Sequence, residues 1–148
     1  MSTNFRAIIR KGISVEEIKT ALEKRFSDVS IIESRDPDTF RFVFIDSDDK
    51  RMIWGFFNDY AKHDYGIDGT LVDIGGWGTA RETLIYLCET FGGYIQEEDD
   101  SFTPINFELF CQGKEHTPHD LFVNKIISTL GYDNLIKTLA LFEEFKNL

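Results

Sequence analysis

Apolar and polar residues alternate along several short stretches of the chain, which is the pattern of half-buried β-strands. In the stretch TFRFVFID, Phe40, Phe42 and Phe44 fall on one face of a predicted strand. The predicted strands are residues 5–9, 29–34, 39–46, 51–59, 70–75 and 94–96, with 105–110 the favoured strand of an ambiguous segment. Short connections between the middle strands predict antiparallel neighbours in a meander.

Apolar residues three and four positions apart predict helices over 15–26, 80–91, 118–130 and 135–145. Sequence signals mark their ends: capping boxes begin at Ser14 and Thr79, and Thr117 precedes a proline. The order β-α-β-β-β-β-α-β, followed by a C-terminal helix pair, predicts an α+β fold. We expect an antiparallel sheet with helices packed on one face.

The length of 148 residues is typical of one domain, predicted over 1–148. Phenylalanine is used 14 times, which predicts a core rich in aromatic side chains. The two cysteines, Cys88 and Cys111, form no paired motif, and no stretch is long and apolar enough to cross a membrane. A cytoplasmic protein without membrane contact is therefore expected.

The formal charge of −10 is concentrated in one part of the chain. Residues 89–120 contain eight acidic residues against Lys114 alone, a net charge of −7, whereas residues 1–25 carry a net charge of +3. This balance disfavours direct contact with nucleic acid, and it permits either a protein partner with a basic surface or a role of the acidic residues in solubility alone. The predicted acidic face comprises Glu97, Glu98, Asp99 and Asp100, with Tyr94 and Phe102 as aromatic anchors.

The stretch DIGGWGTARETLIYLCETFGG, residues 73–93, places glycines between a strand and a helix. It lacks the Lys-Ser/Thr pair of a phosphate-binding loop, and Arg81 stands where a dinucleotide fingerprint has its third glycine. The stretch therefore predicts a turn capped by Thr79, with an anion held by helix-start amides and Arg81 as the alternative. Trp77 is either a core residue or a recognition aromatic.

The segment NDYAKHDYGIDG, residues 58–69, is the best candidate for a functional loop. It is rich in polar and aromatic side chains, namely Asp59, Tyr60, His63, Asp64, Tyr65 and Asp68. Adjacent His63 and Asp64 seldom form a catalytic pair, so a solvated loop anchored by tyrosines is favoured over a catalytic one.

No metal or cofactor is predicted. His116 and His119 lie near Cys111, but structural zinc sites present four ligands in tight pairs, and this spacing does not.

The last helix carries more apolar residues than one buried face needs: Leu135, Ile136, Leu139, Leu141, Phe142 and Phe145. Exposed apolar patches of this size mark interfaces. The C-terminal helices are therefore predicted to be integral either to the fold or to a homodimer, and deleting 132–148 is expected to cause aggregation or loss of the dimer.

Two functions remain. The first is a small acidic, non-enzymatic interaction protein, such as an adaptor, an inhibitor or an immunity-type protein that masks a basic surface. The alternative is an enzyme or a binder of small ligands or anions, built on the 58–81 region with Tyr60, His63, Asp64, Tyr65, Trp77 and Arg81. The directions in which these side chains point distinguish the two functions.

Overall fold

The structure, a computed structural model, describes residues 4–33, 39–45, 52–75, 80–112 and 115–146. The chain forms two compact units, Met1–Lys114 and Glu115–Leu148, and the single domain over 1–148 stays a prediction. The elements of the first unit are β1 (Asn4–Ile9), α1 (Val15–Glu23), β2 (Ser27–Glu33), β3 (Thr39–Ile45), β4 (Met52–Asn58), α2 (Ala61–Tyr65), β5 (Thr70–Gly75), α3 (Ala80–Phe91), β6 (Gly93–Gln96), β7 (Phe102–Ile105) and α4 (Phe107–Phe110). The second unit comprises α5 (Pro118–Leu130) and α6 (Tyr132–Lys146).

One seven-stranded antiparallel sheet organises the first unit, in the order β2-β3-β4-β5-β1-β6-β7. The meander of β2, β3, β4 and β5 confirms the antiparallel neighbours that the short connections predicted. The first strand lies between distant partners, because Phe5 pairs with Ile74 and Ile8 pairs with Tyr94. The predicted α+β fold with an antiparallel sheet is confirmed.

Helices α1 and α3 cover one face of this sheet. Alternate strand residues such as Ala7, Val72 and Phe42 join buried side chains of both helices in one core. Helix α1 begins at the predicted capping box, in which Ser14 Oγ accepts a hydrogen bond from Glu17 N and Glu17 Oε2 accepts one from Ser14 N. Such a cap contributes about 1 kcal/mol to helix stability.

Tyr94 marks the opposite face of the sheet, since it pairs with Ile8 while the neighbouring Ile9 points into the core. Helix α4 covers this position, with the rings of Phe110 and Phe107 edge-on to Tyr94 at centroid distances of 5.1 and 6.1 Å. Tyr94 is fully buried as a result.

The strand predicted over 105–110 is wrong. Strand β7 ends at Ile105, Asn106 takes a left-handed conformation with φ of 51°, and 107–110 form the helical turn α4. Phe107 and Phe110 are both buried, which a spacing of three residues allows on a helix but not on one face of a strand.

Two boundaries also differ from the predictions. Helix α1 ends at Glu23 rather than at residue 26, because the chain turns and β2 begins at Ser27. The 58–69 segment, predicted as a loop, contains α2, which ends at Gly66 in the left-handed conformation typical of a helix C-cap.

The second unit is the predicted pair of helices. Thr117 caps α5, its side chain accepting from Asp120 N at 3.2 Å while Asp120 Oδ2 accepts from Thr117 N at 3.0 Å. Helix α6 begins at Tyr132, three residues earlier than predicted. Within the described ranges, every helix is too short or too polar to cross a membrane.

Candidate functional site

The acidic residues 97–100 form the turn of the hairpin between β6 and β7. Glu97 N donates to Ser101 O at 2.7 Å, and Asp100 N donates to Glu97 O at 3.0 Å. Asp100 adopts a φ of 67°, as the last position of a three-residue hairpin loop requires. These bonds fix the directions of the side chains at the tip.

Three carboxylates of this turn, those of Glu98, Asp99 and Asp100, are exposed to solvent. Asp99 Oδ1 accepts hydrogen bonds from the hydroxyl and the backbone N–H of Ser101. These two bonds, the hydroxyl first, lower the pKa of Asp99 below its ordinary value, because they favour the ionised carboxylate. We call Glu98, Asp99 and Asp100 the acidic tip.

Glu97 is half-buried and does not belong to the acidic tip. Its Oε2 atom lies 3.1 Å from Nη2 of Arg81, in the first turn of α3, and Arg81 Nη1 also donates to Gln96 O at 3.4 Å. An external anion at Arg81 was the alternative to a plain turn in the sequence analysis. The anion that it contacts is a carboxylate of the chain itself, so this ion pair joins α3 to the hairpin.

An aromatic pair lies at the base of the hairpin. The rings of Tyr65 and Phe102 meet edge to face at a centroid distance of 5.0 Å, and both residues are half-buried. The structure therefore joins one residue of the 58–69 segment to the predicted acidic face. Tyr94 was predicted as a second anchor of that face, but it has no exposed surface and cannot contact a partner.

The other residues of the 58–69 segment are mostly exposed. The His63 side chain is 90% exposed, and its Nδ1 atom lies 3.0 Å from Oδ1 of the adjacent Asp64. Tyr60 is exposed, and its backbone N–H donates to Asn58 Oδ1 at 3.0 Å. Tyr65 and Arg81 thus contact residues of the hairpin, whereas the side-chain contact of His63 is with Asp64, its neighbour in sequence.

Residues 76–79 lie outside the described residues. They contain three features of the sequence analysis, namely Trp77, the predicted cap at Thr79 and the glycines at 76 and 78. In the part of the chain that the structure describes, no three side chains of metal-ligating type form a cluster. Burial raises the pKa of the Cys88 thiol to about 12, with a smaller effect from the charge of Glu89. Cys88 is a core residue rather than a ligand.

The sequence did not predict a buried ion pair between β1 and β5. Arg6 and Asp73 are directly paired across the two strands, and Arg6 Nε lies 2.9 Å from Asp73 Oδ2. The side chain of Asp73 is only 3% exposed and that of Arg6 is 36% exposed. Burial raises the pKa of Asp73 above its ordinary value, and Arg6 opposes this shift without cancelling it. The sequence feature that could have indicated this ion pair is the single acid, Asp73, within the otherwise apolar run TLVDIG.

Comparisons of the chain with protein-family models, with curated proteins and with solved structures found no match.

Proposed function

We propose that this chain is a small, non-enzymatic interaction protein that binds a basic surface of a partner protein through the acidic tip. The observation that carries the proposal is the exposure of three carboxylates on a turn whose backbone hydrogen bonds fix its geometry. Clustered negative charge accelerates encounter with a basic surface, and salt weakens this effect.

The aromatic pair supports the same proposal, because charge at a rim gives little affinity without a desolvated anchor. Phe102 follows the acidic tip directly, and Tyr65 packs against its ring. The exposed part of this pair is the apolar contact that a bound partner would cover. Tyr65 and Phe102 therefore replace Tyr94 and Phe102 as the proposed anchors.

The test is a variant with Glu98→Gln, Asp99→Asn and Asp100→Asn, which leaves Glu97 in its ion pair with Arg81. The variant is expected to bind an immobilised lysine-rich peptide with a slower association rate. It should also lose most of the dependence of that rate on ionic strength. Association rates at low and at physiological ionic strength measure both effects.

A variant with Glu23→Gln, Glu82→Gln and Glu89→Gln is the matched control, because it changes the net charge equally at exposed sites on α1 and α3. Equal association rates for the two variants would show that total charge, and not the acidic tip, governs binding. Pull-down of partners from a lysate with the same two variants then distinguishes two kinds of partner. A partner of the acidic tip is lost only with the first variant, whereas a protein captured by total charge is lost equally with both.

We further propose a cytoplasmic location and a homodimer. Among the described residues, Cys88 and Cys111 form no disulfide bond, which supports a reducing compartment. The second unit supports the dimer, because its helices bury Val123, Ile126 and Leu135 and yet expose other large apolar side chains. Those exposed are Leu121, Phe122 and Leu130 on α5 and Leu141 on α6.

Replacing Leu121 and Leu141 with glutamine is expected to convert a dimer into a monomer without unfolding, because both side chains are more than half exposed. Light scattering after size-exclusion chromatography measures the mass of each protein. Deleting 132–148 is a weaker test, because it also removes the buried Leu135. A wild-type chain that is monomeric at every concentration would refute the dimer.

A further inference from the structure

A line of charged and aromatic side chains crosses the sheet on the face that α1 and α3 leave uncovered. Arg41 pairs with Phe56, Phe56 with Asp73, and Asp73 with Arg6, so the four residues follow one another across β3, β4, β5 and β1. Residues paired in this way point to the same side of a sheet. Their chain neighbours Phe42, Phe57, Val72 and Ala7 all belong to the core under the helices. We call Arg41, Phe56, Asp73 and Arg6 the cross-strand row.

Arg6 is held in a fixed position within this row. Its Nε–H meets the buried Asp73 carboxylate at 2.9 Å, while about a third of the Arg6 side chain remains exposed. A guanidinium has five N–H donors, and this ion pair engages the Nε donor. A carboxylate that anchors an arginine in this way preorganises its remaining donors for an anion.

Arg41 stands at the other end of the row and is exposed. Within the described part of the chain, no hydrogen bond or ion pair involves the Arg41 side chain. Asp73 is the only acidic residue among the described strand positions on this face, and Arg6 already pairs with it. The described strand positions of this face therefore carry a net charge of +1, in a chain whose net charge is −10.

The spacing and the charge of Arg41 and Arg6 indicate which class of ligand the cross-strand row can bind. The Cα atoms of Arg41 and Arg6 are three strand spacings apart, about 14 Å. The half-buried Phe56, next to Arg41, and Asp73, next to Arg6, lie between them. An arginine side chain is long enough that the guanidinium groups at both ends of this span can reach one group above Phe56. A phosphate offers three acceptor oxygens to the N–H donors of two guanidinium groups, whereas a carboxylate is satisfied by one guanidinium.

We propose that the cross-strand row binds a small phosphate-bearing molecule, with Arg6 and Arg41 on the phosphate and Phe56 beneath it. The ligand must be small, because the next positions across the sheet beyond Arg6 are Gln96 and Phe102 on β6 and β7. These two residues lie next to the acidic tip. A nucleic acid extending in that direction would meet clustered carboxylates. Asp73 is a positioning residue, since it acts through Arg6.

Nuclear magnetic resonance of the full-length, ¹⁵N-labelled protein tests this proposal, with inorganic phosphate as the probe and sodium chloride at equal ionic strength as the reference. Saturable shifts are expected at the Nε–H signals of Arg6 and Arg41 and at the Phe56 amide. Arg41→Gln is expected to weaken phosphate binding about tenfold, because it removes one charged contact. Arg6 is left unchanged, since its loss would leave the Asp73 carboxylate without its ion pair.

Lys24→Gln is the matched control, because it removes an exposed positive charge at the end of α1, on the other side of the sheet. Equal weakening by Arg41→Gln and Lys24→Gln would overturn the proposal, as would identical shifts with phosphate and chloride. Shifts confined to Ala80 and Arg81 would also overturn it, by placing the anion at the start of α3. These outcomes are independent of the acidic tip, so they do not depend on the proposed protein partner.

Discussion

Gly92→Ala is expected to lower the free energy of unfolding by at least about 3 kcal/mol, or to prevent folding. Gly92 ends α3 with a φ of +77°, and a Cβ atom there would lie 2.2 Å from Phe110 N and 2.8 Å from Asn106 O. Both are backbone atoms, so a side-chain rotation cannot relieve the contact. Helix α4 would have to move, and its rings pack on the buried Tyr94.

Gly66→Ala is the matched control for this prediction. Gly66 also ends a helix, with a φ of +74°, but among the described residues no atom beyond its own chain neighbours lies within 4 Å of the position of its Cβ. Its replacement should cost only the backbone strain, about 1 kcal/mol. Urea unfolding of both variants measures the difference, and equal losses would show that contact with α4 does not exclude a side chain at Gly92.

Arg6→Ala is expected to lower the free energy of unfolding at neutral pH by about 2 kcal/mol. The substitution leaves the Asp73 carboxylate, 3% exposed, without the charge that partly compensates its burial. The loss should be smaller than for a fully buried pair, because Arg6 is itself partly exposed. Arg41→Ala is the control: it removes an exposed arginine from the same face and should change stability by less than about 0.5 kcal/mol.

The loss caused by Arg6→Ala should also shrink in acid. Burial already raises the pKa of Asp73 above its ordinary value of 3.8, and removing Arg6 raises it further. The folded state then binds a proton more tightly than the unfolded state does. Stability is therefore regained as the pH falls through the folded pKa toward 3.8, and this gain begins at a higher pH in the variant.

Urea unfolding at neutral pH and at about pH 5 measures this dependence. Adding Asp73→Asn to Arg6→Ala should restore part of the lost stability at neutral pH, because the amide carries no charge to bury. If the loss is the same at both pH values, and Asp73→Asn restores nothing, then the charge of Asp73 is not its cause.

Much of the sheet could be predicted from local sequence. Alternation in TFRFVFID and the short connections around it determine β3 and its neighbours, because both signals act within a few residues. The same rule fails at INFELF, where Ile105, Phe107 and Leu109 alternate as in a strand while Phe107 and Phe110 match a helical turn. Burial of both phenylalanines against Tyr94 decides the outcome, and no local pattern contains that contact.

In the candidate site, too, some features follow from local sequence and others only from contacts between distant segments. Exposure of the acidic tip follows from charge and from its position between two strands. By contrast, Tyr65 meets Phe102, Arg81 meets Glu97, and Arg6 meets Asp73 only through strand order and register. Strand order and register depend on the position of β1 in the sheet, and the connection that follows β1 does not indicate that this strand lies between β5 and β6.

The position of β1 also determines the order in which the chain can fold during synthesis. Strand β1 is synthesised before the other strands of the sheet, yet Ile9 pairs with Thr70 on one side and Gly93 on the other. The meander of β2 to β5 needs only contacts between consecutive strands, so it can assemble while β1 is still unpaired. The apolar AII segment of β1 then waits about 60 residues for β5 and about 80 residues for β6, and closing such long loops is slow. During translation, an apolar strand that stays unpaired for this long is prone to aggregation, which a chaperone would prevent.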